Sequence, residues 1–221
     1  MARPKMLLIS DTHCPWHDQR RVNEVLRWAR AEKPECIVHL GDLMDQYLLS
    51  GFDKDYTELL SPSTARREWS KSRDLLTSLS KITQTIWIPG NHDLRVRKAV
   101  IKHPYLDLYT NDPLRDLANE CGVKLASKKG VKVTKGPMRL KLRHQGPKGF
   151  LTRLRDMSVV QGHHHRLFLW NQNERIYGGE AGHLARASAP CFDYFDTDTS
   201  EWCGGFIQID HKWVPHLVAL R

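Results

Sequence analysis

Through the first half of the chain, short unbroken apolar runs alternate with stretches whose apolar residues recur every third or fourth position. Residues 6–10, 36–40 and 85–89 are brief and rich in Leu, Ile and Val, the pattern of strands buried on both faces. Between the first two, Val22, Val25, Leu26 and Ala29 fall at helical spacing. Ser61 and Pro62 supply an N-cap and a first-turn proline, and Ala65, Trp69, Ser72, Leu76 and Leu79 follow, predicting a long helix over residues 63–80. Asp112 and Pro113 open another, with Leu114, Leu117, Ala118 and Cys121 on one face and Gly122 as its stop.

The second half reads differently. Residues 131–134, 139–143, 157–160, 204–209 and 213–219 have strand patterns with short connections, which predicts a largely antiparallel or mixed region. A layered α/β sandwich is the natural outcome of combining the two halves. No repeat, low-complexity stretch or Pro/Gly linker divides the chain, so residues 1–221 are expected to form a single domain.

Composition narrows the class. Hydrophobic residues make up 40% of the chain and charged residues 27%, the balance of a soluble globular protein. The apolar runs are far shorter than the ~20 residues of a membrane span, and no signal-peptide pattern opens the chain, so a cytoplasmic protein is expected. Cys14, Cys36, Cys121, Cys191 and Cys203 are widely spaced and form no CxxC pair, which argues against a disulfide framework or a structural zinc site. The formal charge of +9 fits a phosphate-bearing or polynucleotide partner.

The chemistry lies where the apolar runs end. The run 6–10 leads into Asp11-Thr12-His13, 36–40 into Gly41-Asp42 with Asp45 beyond, and 85–89 into Gly90-Asn91-His92-Asp93. The strand 139–143 ends at His144-Gln145-Gly146, and 157–160 leads through Gln161 to Gly162-His163-His164-His165. Ligands bind at the carboxyl ends of strands in α/β sheets. In Asp11-x-His13 and His163-x-His165, residues two apart on an extended segment point the same way, so both members of each pair can reach one cation. Asp42 has two oxygens with which to bridge a pair of cations, and Gly41, Gly90 and Gly162 permit sharp turns and close approach. The mixed N/O set without thiolate suits Mn²⁺, Fe, Zn²⁺ or Ni²⁺ better than Ca²⁺.

In that order, DTH, GDLMD, GNHD, a lone His before Gln-Gly and GHHH resemble the five signature blocks of the calcineurin-like metallophosphoesterase superfamily, from Asp11 to His165. The resemblance implies two mixed β-sheets flanked by helices, and two divalent cations, Mn²⁺ foremost. It assigns Asp11, His13 and His165 to one metal, Asn91, His144 and His163 to the other, and Asp42 to both. His92 occupies the position of the phosphate-contacting histidine, and Asp45 that of the carboxylate orienting it. The third block ends in Asp93 where many relatives have Glu, and the second lacks the Arg-Gly ending of Ser/Thr protein phosphatases. The implied activity is phosphoester hydrolysis by in-line attack of a metal-activated water, on a phosphodiester in DNA, RNA or a nucleotide. The alternatives are a phosphomonoesterase acting on a small metabolite or phosphoprotein, and a non-catalytic nucleic-acid-binding module with structural metals.

Other residues have simpler readings. Arg95, just past the third block, is the expected substrate contact because its fork can donate two bonds to phosphate. His39 is expected in the core, His164 turned away from its neighbours, and His17 and His183 in loops that could overhang the site. The basic run Lys124, Lys128, Lys129, Lys132, Lys135, Arg139, Lys141 and Arg143 reads as the solvated outer face of hairpin strands. The acidic stretch Asp196, Asp198 and Glu201 reads as a solvated turn.

Overall fold

A computed structural model of the protein describes residues 4–51, 59–108, 110–146, 154, 156–173, 175–192 and 199–220. The chain order is β1 (Met6–Ile9), α1 (Gln19–Glu32), β2 (Cys36–His39), α2 (Pro62–Ser80), β3 (Thr85–Trp87), α3 (Leu94–Lys102), α4 (Pro113–Glu120) and β4 (Lys124–Leu125). It continues with β5 (Val131–Lys135), β6 (Met138–Arg143), β7 (Ser158–Gln161), β8 (Leu167–Asn171), β9 (Tyr177–Ala181), β10 (Gly205–Ile209) and β11 (Pro215–Ala219). These strands form two mixed sheets, ordered β11-β10-β1-β2-β3-β4 and β5-β6-β7-β9-β8.

Strand alternation sorts the apolar residues into two cores. Leu7, Ile9, Ile37, Trp87 and Phe206 face the helices and pack on Val22, Val25, Leu26, Leu76, Leu79, Leu114 and Leu117. Met6, Leu8, Val38, Ile88 and Ile207 face the second sheet and meet Leu140, Leu142, Val160 and Ala181. Residues 6–9 are therefore apolar throughout because both of their faces are covered. Each large side chain buried this way contributes roughly 1.5–3 kcal/mol. No helix among the described residues is long and apolar enough to cross a membrane.

The helices start where local chemistry allows. Asp18 accepts the N–H groups of Arg20 and Arg21 at the head of α1, and Ser61 accepts that of Thr64 at the head of α2. Asp112 caps α4 and also takes a two-point ion pair from Arg97 of α3, at 2.8 and 2.6 Å.

In the second sheet, β6, β7 and β9 run parallel to one another, while β5 and β8 are antiparallel edges. Of the two expected arrangements, antiparallel or mixed, the sheet has the mixed one. β8 and β9 lie in a region the sequence pattern left as loop. β9 reads Tyr-Gly-Gly-Glu-Ala, with little strand propensity of its own, yet it is wholly buried between β7 and β8.

Candidate metal centre

β1, β2 and β3 are parallel, as are β6 and β7, so their carboxyl ends deliver the motif residues to one edge of the sandwich. Two groups of side chains converge there: Asp11, His13 and His165, and Asp42, His144 and His163, with ligand atoms in each group within 4.8 Å of one another. The spacing argument fails for His163 and His165, which fall in different groups. Their φ angles are +84° and +61°, so the backbone coils through this stretch and does not alternate. Asp11, His13 and Asp42 also have left-handed φ, at 50°, 48° and 50°. Such angles in non-glycine residues cluster at functional sites, where surrounding structure holds them in place.

Each carboxylate is tied to main-chain N–H by one oxygen and turns the other toward the histidines. Asp11 Oδ2 accepts the Ser10 hydroxyl and, at 2.9 Å, the His163 N–H. Its Oδ1 is buried without a hydrogen-bond partner, 3.4 Å from His165 Nε2 and 3.9 Å from His13 Nε2. Asp42 Oδ1 accepts the His92 N–H at 2.9 Å. Its Oδ2 lies 3.2 Å from His144 Nε2, 3.9 Å from His13 Nε2 and 4.0 Å from His92 Nε2, between the two groups.

The imidazoles are tied in the same way. His144 Nδ1 donates to the Leu40 carbonyl at 2.9 Å, and His13 Nδ1 to Asp45 Oδ1 at 3.0 Å, so both present Nε2 to the cluster. Gln145 lies 2.9 Å from His163 Nε2, leaving Nδ1 for the cluster. Asn91 Oδ1 lies 2.9 Å from His144 Nε2. His13 Nε2 and His165 Nε2 stand only 3.3 Å apart, beside the unpartnered Asp11 oxygen. Inward-facing nitrogen lone pairs and open carboxylate oxygens are the donor set that divalent cations take.

Asp45 is also part of a third group, with His13 and His92. Its carboxylate is nearer His13 Nδ1, at 3.0 Å, than His92 Nδ1, at 3.4 Å. His92 Nδ1 is held instead by the Asp45 main-chain carbonyl at 2.7 Å, so Asp45 orients both rings through different atoms. Arg95 donates to the same carbonyl at 2.9 Å, and its other nitrogen lies 3.3 Å from His92 Nε2.

Protonation follows burial and charge. Burial raises the Asp11 and Asp42 carboxyl pKa values, but His165 and His144 for Asp11, and His144 and His92 for Asp42, bring both below the ordinary range. Burial opposes protonation of His144, but Asp42 outweighs it and lifts the pKa to about 9. Without a cation, a proton on Nε2 therefore takes the position facing Asp42. Burial, then the charge of His144, push His163 down to about 4. For His92, burial lowers the pKa and Asp42 and Asp45 more than restore it, so it ends above its usual value.

Two buried acids stand outside the cluster, where motif spacing gives no sign of their roles. Asp93 accepts from Met44 N at 2.9 Å and Gly90 N at 2.8 Å, which stitches the loop after β2 to the loop after β3. Glu68 of α2 accepts from Gln46 N at 2.6 Å, where apolar periodicity alone places only a core turn. His39 is buried, with Nε2 2.7 Å from Thr12 Oγ1 and Nδ1 accepting from Gly41 N. His164 is exposed and pairs with Glu180 at 2.5 Å. His183 is buried and stacked on His165 at 5.3 Å, so it does not overhang the site, and His17 bonds to Gln19. Glu201 pairs with Arg166, whereas Asp196 and Asp198 lie outside the described residues.

Glycine is required where the loops touch the cluster. A Cβ on Gly162 would overlap the Ser10 hydroxyl and stand 2.6 Å from Asp11 Oδ2. Gly162→Ala should therefore displace the Asp11 carboxylate and lower kcat/KM on a small phosphodiester by about 10²-fold, the cost of an ångström-scale misplacement. Gly51→Ala, with nothing within 4 Å of the added atom, serves as the control. Equal rates for the two variants would show that the Asp11 position does not matter.

Residues 4–189 match the family described as calcineurin-like phosphoesterase. Gene 54 protein of Mycobacterium phage D29 is 28% identical over 96 residues, which cover 41% of this chain and only 36% of that protein. Among solved structures, an archaeal phosphodiesterase superposes with a TM-score of 0.55 at 14% identity, covering 97% of this chain and 99% of that one. Yfce, a phosphoesterase from E. coli, gives 0.52 at 14% identity, covering 98% and 99%. Vps29 from Chaetomium thermophilum gives 0.52 at 11% identity, covering 100% and 96%. At these identities the likeness is one of fold.

Proposed function

Since the chain belongs to the calcineurin-like phosphoesterase family, we propose that it is a dinuclear-metal phosphodiesterase, residues 1–221 acting as one catalytic domain on nucleic acid or nucleotides. The observation that carries this reading is the pair of half-tied carboxylates. Asp11 Oδ1 is buried with no hydrogen-bond partner and Asp42 Oδ2 is buried against His144 Nε2 at 3.2 Å, while their sister oxygens are fixed by N–H groups. A buried carboxylate oxygen without a partner is costly, and a cation would satisfy it.

Asp11, His13 and His165 would hold one divalent ion, and Asn91, His144 and His163 the other, with Asp42 shared. Mn²⁺, foremost by the family resemblance, and Zn²⁺, Fe or Ni²⁺ as alternatives are compatible with this oxygen and imidazole set. Bound there, such ions supply charge for the phosphoryl oxygens and acidify a coordinated water. The protein's own part falls to His92, Asp45 and Arg95. Because His92 Nδ1 is committed to the Asp45 carbonyl, its Nε2 can carry a proton to the leaving oxygen. The charges of Asp42 and Asp45 raise its pKa above the usual imidazole value, against burial, which favours that proton. Arg95, anchored by one nitrogen on Asp45 and Gln46, keeps its other nitrogen beside His92 for a phosphoryl oxygen.

The test is turnover of bis-p-nitrophenyl phosphate against p-nitrophenyl phosphate by protein reconstituted with Mn²⁺, alongside metal analysis. Two ions per chain and faster diester cleavage are expected. A single ion, or fast monoester turnover without diester cleavage, would overturn this reading.

A further inference from the structure

The outer face of the second sheet carries an arrangement that folding alone disfavours. Lys132 of β5 and Lys141 of β6 are direct cross-strand partners. Along β6, Leu140, Leu142 and His144 are buried on one side, so Arg139, Lys141 and Arg143 share the other. The like charges are close enough to act on one another. Burial, then Lys132, Arg143 and Lys129, lower the pKa of Lys141. Like charges directly opposite in a sheet destabilise it.

Some cations of the molecule are neutralised, Lys5 by Glu35, Arg73 by Glu120 and Arg97 by Asp112, and at the start of the row Arg139 pairs with Asp156. Among the described residues, no carboxylate forms an ion pair with Lys129, Lys132 or Lys141. The row also leads to the candidate metal centre. Its last member, Arg143, bonds to Gln161 at 3.3 Å and immediately precedes His144. The next residue, Gln145, touches His163. A chain lying along Lys132 and Lys141 and crossing the rim at Gln145 and Gly146 would reach the cluster.

We infer that Lys129, Lys132, Lys141 and Arg143 form a track for a polynucleotide strand, which seats the phosphates flanking the scissile bond as the strand crosses the rim. Lys141 and Arg143, two apart on β6, are spaced ~6.6 Å, and Lys132 stands directly beside Lys141, so the face offers positive charge at several adjacent points. That geometry matches a polymer with a charge on every unit better than a single phosphate. The direction of the track rests on the phosphodiesterase reading, but the binding itself does not.

The experiment is fluorescence anisotropy of a labelled, hydrolysis-resistant phosphorothioate oligonucleotide with the Mn²⁺-loaded protein, across a salt series. Replacing Lys129, Lys132 and Lys141 together by Gln should weaken binding at least tenfold at low salt. It should also flatten the log–log salt slope by about 2, at ~0.7 per released single-strand phosphate. The matching triple Lys→Arg variant should bind like the wild type, which separates charge from folding. Unchanged affinity and slope in the Gln variant, or no binding by the wild type, would overturn the inference. Equal affinity for poly-glutamate would overturn its polynucleotide part. Bis-p-nitrophenyl phosphate turnover by the wild type is read separately, so a failed phosphodiesterase reading and a failed track give different results.

Discussion

Asp42→Asn is expected to lower kcat/KM on a phosphodiester by roughly 10³-fold or more, beyond the loss from His165→Ala, and to release bound metal. The reason is the way the carboxylate is held. Asp42 Oδ1 accepts the His92 N–H, and an asparagine would keep its carbonyl there. Its NH₂ would then occupy the position of Oδ2, 3.2 Å from His144 Nε2 and 3.9 Å from His13 Nε2. A donor would replace the negative oxygen that both groups share. Metal content and steady-state rates should be measured together for both variants. If Asp42→Asn lost no more than His165→Ala, the shared role would have to be given up.

His92→Ala should slow turnover by about 10²–10⁴, the range for a lost general acid, while leaving metal content close to wild type. The bond from residue 92 that positions Asp42 comes from the main chain and survives the substitution. His13 likewise keeps its own anchor on Asp45 Oδ1. The cluster should therefore remain assembled with its proton donor gone. Rates on bis-p-nitrophenyl phosphate, followed by metal analysis of the same sample, decide the matter. Loss of an ion from His92→Ala would make His92 a ligand and remove it from the donor role.

The convergence of Asp11, Asp42, Asn91, His144 and His163 was legible because each follows a short apolar run, and parallel strands bring such ends to one edge. Which histidines share a group followed from the family resemblance and not from spacing, because the spacing rule assumes an extended backbone and residues 163 and 165 are left-handed. Asp93 and Glu68 were missed as organisers for a different reason. Their partners are main-chain N–H groups distant in sequence, and a side chain bonded to main chain leaves no pattern in the partner's identity. β9 escaped because Gly179 serves close packing and not strand propensity: a Cβ there would stand 2.7 Å from the Leu169 side chain. The basic run was visible from the sequence, but the direct opposition of Lys132 and Lys141 depends on register.

The left-handed angles at Asp11, His13, Asp42, His163 and His165 bear on how a lineage carrying this fold can change. Side chains other than glycine in that region cost on the order of 1–3 kcal/mol each where nothing compensates. The two cores, by contrast, are close-packed and intolerant of altered volume. Descendants released from catalysis would gain stability by relaxing these five positions, and would lose it by altering Trp87 or Leu76. Drift would erase the chemistry first and leave the sandwich standing.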